Sequence, residues 1–245
     1  MNAEISTVPD LPALYWAASA EFIAALKHAV DTKGVFDVAL SGGSTPKALF
    51  ALLADNPKIP WDKVRFFWGD ERHVPPDHPD SNYRMANESL LSKIGACTDQ
   101  VFRIPAENPD AAKAASDYEQ TLREAFHTSA DGPPQFDLVM LGIGSEGHTA
   151  SLFPGTRALD EDRRWVVSNW VGKLYTQRIT LTARVLNNAV LTMFMVAGAD
   201  KALALKGILE GPTEPAQLPA QLIRPVHGRL LWLIEKSAAS QLQNA

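Results

Sequence analysis

LGIGSEGHTASLFPG, residues 141–155, places four glycines and one histidine directly after the apolar run FDLVM at 136–140. An apolar run that breaks into glycines predicts a strand ending in a turn at a sheet edge, and rival chemistries compete for such a turn. Gly142-x-Gly144-x-x-Gly147 has the spacing of a dinucleotide fingerprint. That fingerprint calls for a long helix after its third glycine and an acid about twenty residues further on. Here Pro154 and Gly155 come too soon, and VVSNW stands where the acid belongs. Ser145 fails as the nucleophile of a G-x-S-x-G elbow, because residue 143 is isoleucine. His148 remains, either a structural histidine or one placed for chemistry beside a glycine turn.

Outward from this stretch, β-type runs alternate with helical patterns. VFDVALSG precedes a helix starting at Pro46, VRFFWGD precedes SNYRMANESLLSKI, and AAKAASDYEQTLREAF precedes FDLVMLGIG. Further strands are expected at 163–170, at 178–182, at 189–198 and at 228–235, with KALALKGILE as a helix after the third of these. This rhythm predicts an α/β fold: an open, mostly parallel sheet of six or seven strands flanked by helices on both faces. Asn108-Pro109-Asp110 caps the long middle helix, and Ser81 or Asn82 caps the one before it. The only linker-like segment, TSADGPPQ at 128–135, is too short to divide the chain, so residues 1–245 read as one domain.

Composition bounds the partners. Of 245 residues, 46% are hydrophobic and 21% charged, the range of folded globular chains. Twenty-three Lys and Arg against 28 Asp and Glu give −5, a balance that offers no basic field for nucleic acid or an anionic membrane. Cys97 is the single cysteine, which rules out an internal disulfide and a multi-cysteine zinc site and fits a reducing cytoplasm. The start, MNAEISTVPD, lacks the basic region of an export signal, and the apolar run at about 190–197 is far too short for a bilayer.

Three further sites bear on chemistry. In SGGSTPKALF, 41–50, a strand end runs through Gly42 and Gly43 into Ser44, Thr45 and Pro46. A hydroxyl there can cap the helix, Pro suits its first position, and the converging amides suit an anion. The same residues also read as a plain strand-to-helix turn. In WGDERHVPPDHPDSNYRM, 68–85, Arg72 offers a permanently charged fork for a phosphate or an oxyanion, unless Asp70 or Glu71 holds it in a structural ion pair. His73, Asp77 and His78 make a weak metal set, without the i, i+4 spacing that would support it. Arg178, Lys173 and Lys201 are scattered cations of which Lys201, at a strand-to-helix junction, is the best placed to meet a ligand. His28 reads as a residue on a helix face.

SGGSTP, DERHVPPDHPDSNY and GHTASLFPGT, in this order, resemble the 6-phosphogluconolactonases of the glucosamine-6-phosphate isomerase/6-phosphogluconolactonase family. The likeness spans nearly the whole chain and takes in RITLT, Gly198–Lys201 and Pro219-Ala220. Glucosamine-6-phosphate deaminase is similar at SGGSTP and GSEGH but carries DEY and HIAFNEP patterns where this chain has DER and HTASLFP. The resemblance implies a Rossmann-like fold and hydrolysis of 6-phospho-D-glucono-1,5-lactone, without metal or cofactor, by a cytoplasmic monomer or weak homo-oligomer. Its implied site has His148 as general base and Arg72 on the oxyanion. Gly42, Gly43, Ser44 and Thr45, with Arg178, Lys201 and Gly144, take the phosphate and sugar, and Asp70 and Glu146 stand behind as supporting carboxylates. Glu146 departs from the aspartate usual before Gly-His, which shifts where its oxygens lie.

Overall fold

Nine strands and seven helices, joined by short 3-10 turns, follow one another along the computed structural model, which describes residues 3–127 and 132–243. In chain order they are β1 (Glu4–Val8), α1 (Leu11–Lys33), β2 (Phe36–Leu40), α2 (Ser44–Ala54), β3 (Val64–Trp68) and β4 (Asp70–Arg72). Then come α3 (Asn82–Ala86), a π turn, α4 (Ser92–Ile94), α5 (Ala111–Phe126), β5 (Leu138–Leu141), β6 (Val166–Val171) and β7 (Thr176–Leu181). The chain closes with α6 (Ala183–Leu186), β8 (Leu191–Val196), α7 (Ala202–Glu210) and β9 (Arg229–Glu235). Six strands form a parallel sheet in the order β1-β9-β8-β5-β2-β3. Its central strands β2, β5 and β8 are buried at every residue, which is why they read as unbroken apolar runs.

The expected strands at 163–170 and 178–182 do not join that sheet. They become β6 and β7, antiparallel to each other, with β4 antiparallel to β7 in a separate sheet of three. The connection from Val171 to Thr176 explains it: a hairpin turn suffices for antiparallel neighbours, whereas parallel ones need a crossover of about a dozen residues. β1 is a further addition to the expected elements, and the helix face expected at His28 belongs to the 23-residue α1, capped by Asp10 through Ala13 N–H at 2.8 Å. The linker-like 128–135 falls partly outside the described residues; within it, the carbonyls of Pro133 and Pro134 accept from Asn188 Nδ2.

Strand order places the site. From β2 the chain moves one way to β3 and then returns to the other side of β2 for β5, so the sheet's direction of winding reverses between β2 and β5. In open α/β sheets the crevice beyond the carboxyl ends of the strands at that reversal is where ligands bind. The small sheet sits beside it through Gly69, whose N–H donates to Leu40 and whose carbonyl accepts from Leu181 N–H. α5 is capped by Asp110, whose side chain accepts from the N–H groups of Ala112 and Lys113, and its Tyr118 hydroxyl bonds both the N–H (2.9 Å) and the C=O (3.1 Å) of Trp68. The last residue of β3 is thereby fixed immediately before β4.

Candidate active site

The turn after β2 differs from its expected form. α2 begins at Ser44 with Gly43 as its cap, so Pro46 is the third helical residue and neither hydroxyl caps the helix. Gly43 takes φ 108°, a conformation that favours glycine. The amides of Ser44 and Thr45 lie in a first turn that has no intrahelical acceptor for them, an arrangement suited to an anion. Gly42 is a glycine for another reason: a Cβ there would fall 1.9 Å from Asn82 Oδ1.

Across the reversal, the turn after β5 is closed by Gly144 N–H to His148 O (2.9 Å), Gly147 N–H to Gly144 O (3.0 Å) and Thr149 Oγ1 to Gly142 O (2.9 Å). The imidazole of His148 lies directly on Gly144, where a Cβ would come within 2.0 Å of Nδ1. The glycine spacing that mimics a dinucleotide fingerprint therefore makes room for a histidine. Phe153 stacks under the ring at 4.0 Å between centroids. Nδ1 is 3.1 Å from Glu146 Oε2, close enough for an ion pair but without hydrogen-bond alignment, and it has no other partner among the described residues. Burial pushes the imidazole below its ordinary 6.5, partly opposed by Glu146 and Asp70 and reinforced by Lys201. Burial pushes the Glu146 carboxyl up, but its own backbone N–H, His148 and Lys173 outweigh it and hold the group below the usual 4.5.

The small sheet supplies cations. Arg72 on β4 and Arg178 on β7 are register partners, two like charges side by side. Among the described residues neither guanidinium is in an ion pair with a carboxylate; Asp70 and Glu71 act on Arg178 only through the field. Arg72 donates from one terminal nitrogen to Asp80 O at 2.8 Å, while the Nε of each arginine is buried without a partner. Burial, and then Arg72, push Arg178 below the usual arginine range. Asp70 accepts from Ser151 Oγ at 2.5 Å and from Asn82 Nδ2 at 3.4 Å. Lys201 is three-quarters buried and is paired with the exposed Asp200 at 2.8 Å.

A cavity of about 320 Å³ gathers these groups: Gly42, Gly43, Asp70, Arg72, Gly144, His148, Arg178 and Lys201 all line it. Ser44 and Thr45 are just outside the lining, in the first turn of α2. Glu146 reaches His148 from a neighbouring cavity that shares the Phe153 wall. Lys173 is 70% exposed, 3.5 Å from Glu146 Oε1, and outside the main cavity. Of the weak metal set, His73 donates from Nε2 to Asn108 O at 2.7 Å and His78 Nδ1 accepts from Asp80 N–H at 3.1 Å. Sequence reading missed Ser41, Asn82, Ser151, Phe153 and Leu174 as wall residues. The run DSNY after a long loop and the serine in HTAS were the available signals, and Phe153 read as ordinary core.

The family profile described as glucosamine-6-phosphate isomerases/6-phosphogluconolactonase matches residues 9–232. The chain is 39% identical to a 6-phosphogluconolactonase of Nostoc sp. over 99% of both chains, and 42% identical to one of Synechocystis sp. over 89% of both. Among solved structures, 6-phosphogluconolactonase from Trypanosoma cruzi superposes with a TM-score of 0.88 at 30% identity, over 99% of this chain and 97% of that one. A monomeric glucosamine-6-phosphate deaminase shares the fold, with a TM-score of 0.81 at 20% identity over 97% of this chain and 99% of that one.

Proposed function

The chain belongs to the glucosamine-6-phosphate isomerase/6-phosphogluconolactonase family and is a lactone hydrolase, and we propose that it opens 6-phospho-D-glucono-1,5-lactone with His148 as general base. One observation carries the reading. Ser41 Oγ, Arg72 Nε and Arg178 Nε are buried polar atoms without a hydrogen-bond partner among the described residues, and they line a single cavity with His148, whose Nδ1 faces Glu146. A buried polar group left unpaired costs about 1–3 kcal/mol, and a substrate that brings its own acceptors relieves that cost. Two guanidinium groups and the Lys201 ammonium around one cavity call for an anion, and an imidazole with Nε2 free calls for a proton.

In this reading the 6-phosphate sits against Gly42 and Gly43 at the start of α2, where the Ser44 and Thr45 amides, Arg178 and Lys201 meet it. His148 Nε2 takes a proton from water as the water oxygen bonds to C1. The electron pair of the carbonyl moves to its oxygen, where Arg72 and the amides of the Gly142–Gly147 turn stabilise the charge. The intermediate collapses by breaking the bond from C1 to the ring oxygen, which recovers the proton from the imidazolium. Glu146 and Asp70 stabilise that imidazolium, and the acid formed ionises in water. The proposed working unit is a monomer or weak homo-oligomer, in the reducing cytoplasm that the free Cys97 suits.

The test is acid release from lactone generated in situ, corrected for spontaneous opening. Wild-type protein is expected to accelerate it and to release no ammonia from glucosamine 6-phosphate. Acid–base help of this kind contributes roughly 10²–10⁴-fold, so His148→Asn should lower kcat by about that factor while the protein stays folded. A His148→Asn variant with near-normal kcat removes the imidazole from the mechanism.

A further inference from the structure

Glu71 is not among the residues that line the main cavity, yet it is a carboxylate with only 2% of its surface exposed. It is the middle residue of β4, and alternation along a strand turns it away from the face on which Asp70 and Arg72 meet the cavity. On that hidden side it gathers four donors. Oε1 accepts the N–H of Asn82 at 2.7 Å and of Arg72 at 2.8 Å; Oε2 accepts the N–H of Tyr83 at 2.8 Å and the Ser81 hydroxyl at 3.1 Å. Ser81 in turn caps α3 through Arg84 N–H.

These bonds close the long loop between β4 and α3 onto its own beginning. Arg72 is held at both ends, its backbone N–H by Glu71 and its guanidinium by Asp80 O within the same loop. Asn82, first residue of α3, is pinned through its backbone N–H, which sets its side chain with Nδ2 on Asp70 O at 2.9 Å and Oδ1 against Gly42. The single carboxylate thus connects the arginine of the small sheet to the glycine turn of the large one. A five-residue helix can be capped without burying a charge, since serine or asparagine caps suffice. Burying a carboxylate costs several kcal/mol unless its bonds return it, and burial does push Glu71 up from its usual range despite those bonds.

We propose that Glu71 is a positioning residue, aiming Arg72 and Asn82 at the cavity by tying β4 to the start of α3. An ionised carboxylate is an acceptor at both oxygens and can serve all four donors; an amide in its place turns two N–H groups toward the Tyr83 N–H and Ser81. The inference rests on the role given above to Arg72, so its test is a double-mutant cycle between the two positions.

Glu71→Gln is expected to lower kcat/KM for the lactone by about 10-fold, the scale of one charge-assisted hydrogen bond lost. In the Arg72→Ala background the same change should cost less than about 2-fold, because little remains to be aimed. A merely structural Glu71 lowers the melting temperature without that coupling. Equal losses in both backgrounds, or wild-type kinetics for Glu71→Gln, overturn the inference and leave the lactonase reading intact. Arg72→Ala alone at wild-type turnover instead removes Arg72 from the proposed mechanism, and this role with it. Should Glu71→Gln fail to fold, Ser81→Ala keeps the carboxylate and deletes one donor. Its expected loss of about 2-fold, absent beside Arg72→Ala, supports the same conclusion, and an identical loss in both backgrounds refutes it.

Discussion

Two cross-strand pairs invite comparison. In the parallel sheet Asp37 of β2 is registered with Arg65 of β3; in the small sheet Arg72 of β4 is registered with Arg178 of β7. The first pair is of opposite sign and saturated. Asp37, 1% exposed, binds Arg65 Nε at 2.6 Å and Lys33 Nζ at 2.6 Å, Asp137 takes Lys33 at 2.9 Å, and Arg65 also donates to Ala125 O. The second pair is of like sign and unsaturated, with two buried Nε atoms idle. Opposite charges facing across a ladder stabilise it and like charges oppose it. The comparison teaches where to look for function: at one end of the sheet the charges are paired with one another, and at the other two like charges lie side by side on the wall of a cavity.

Each pair can be broken, with opposite consequences. Asp37→Asn removes the acceptor that two cations share and leaves Arg65 Nε without its carboxylate. Breaking a buried pair costs about 3–5 kcal/mol, so the thermal midpoint should drop by roughly 6–12 °C or more, while KM for the lactone at a temperature well below melting stays unchanged. Calorimetry beside steady-state kinetics checks both halves. A kinetic defect at wild-type stability would show that this end of the sheet is not purely structural.

Arg178→Met tests the other pair. It relieves a like-charge contact, so stability should hold or rise slightly. A charge-assisted bond lost to the phosphate is worth about 1.5–3 kcal/mol, which predicts a KM for the phosphorylated lactone raised on the order of 10-fold or more. The unphosphorylated lactone should be much less affected. Lys201→Ala follows the same pattern more weakly, since Asp200 already neutralises part of its charge. Equal effects on both lactones would take these cations out of the phosphate seat.

The same contrast explains what could be read in advance. β2, β5 and β8 are buried on both faces, so their apolar runs declare them in sequence; the glycine turns that follow declare the site's two walls. β1 is an exposed edge strand, EISTV, with no periodic signal strong enough to separate it from a tail. The destinations of β6 and β7 were misjudged because their strand character is local, whereas their pairing depends on the four residues between them. Asn82, Ser151 and Glu71 were invisible as site residues for another reason. Ser151 meets Asp70 across 81 positions of chain, and Glu71 shows its value only once α3 has folded back on β4. Identity alone left Arg72 poised between an ion pair and a ligand; among the described residues its guanidinium meets the Asp80 carbonyl and no carboxylate.

The smallest expected effect separates the two carboxylates that face His148. Of the groups that act on the imidazole, burial pushes it down most, Lys201 adds to that, and Glu146 and Asp70 pull it up. A general base works in its neutral form, so kcat/KM should rise through an acid limb placed below 6.5 and be flat above it. Glu146→Gln removes the largest upward pull: the imidazolium loses its nearest stabilising charge, protonation needs a more acid solution, and the limb should move to lower pH. kcat on the plateau should fall as well, because the imidazolium formed in the transition state has lost the same partner. Lys173→Met acts on Glu146 from the opposite side and, being exposed, should move the limb slightly upward. A limb that stays in place in Glu146→Gln would mean that the 3.1 Å contact does not couple the two titrations, and that Asp70, across the cavity, carries the support of the imidazolium by itself.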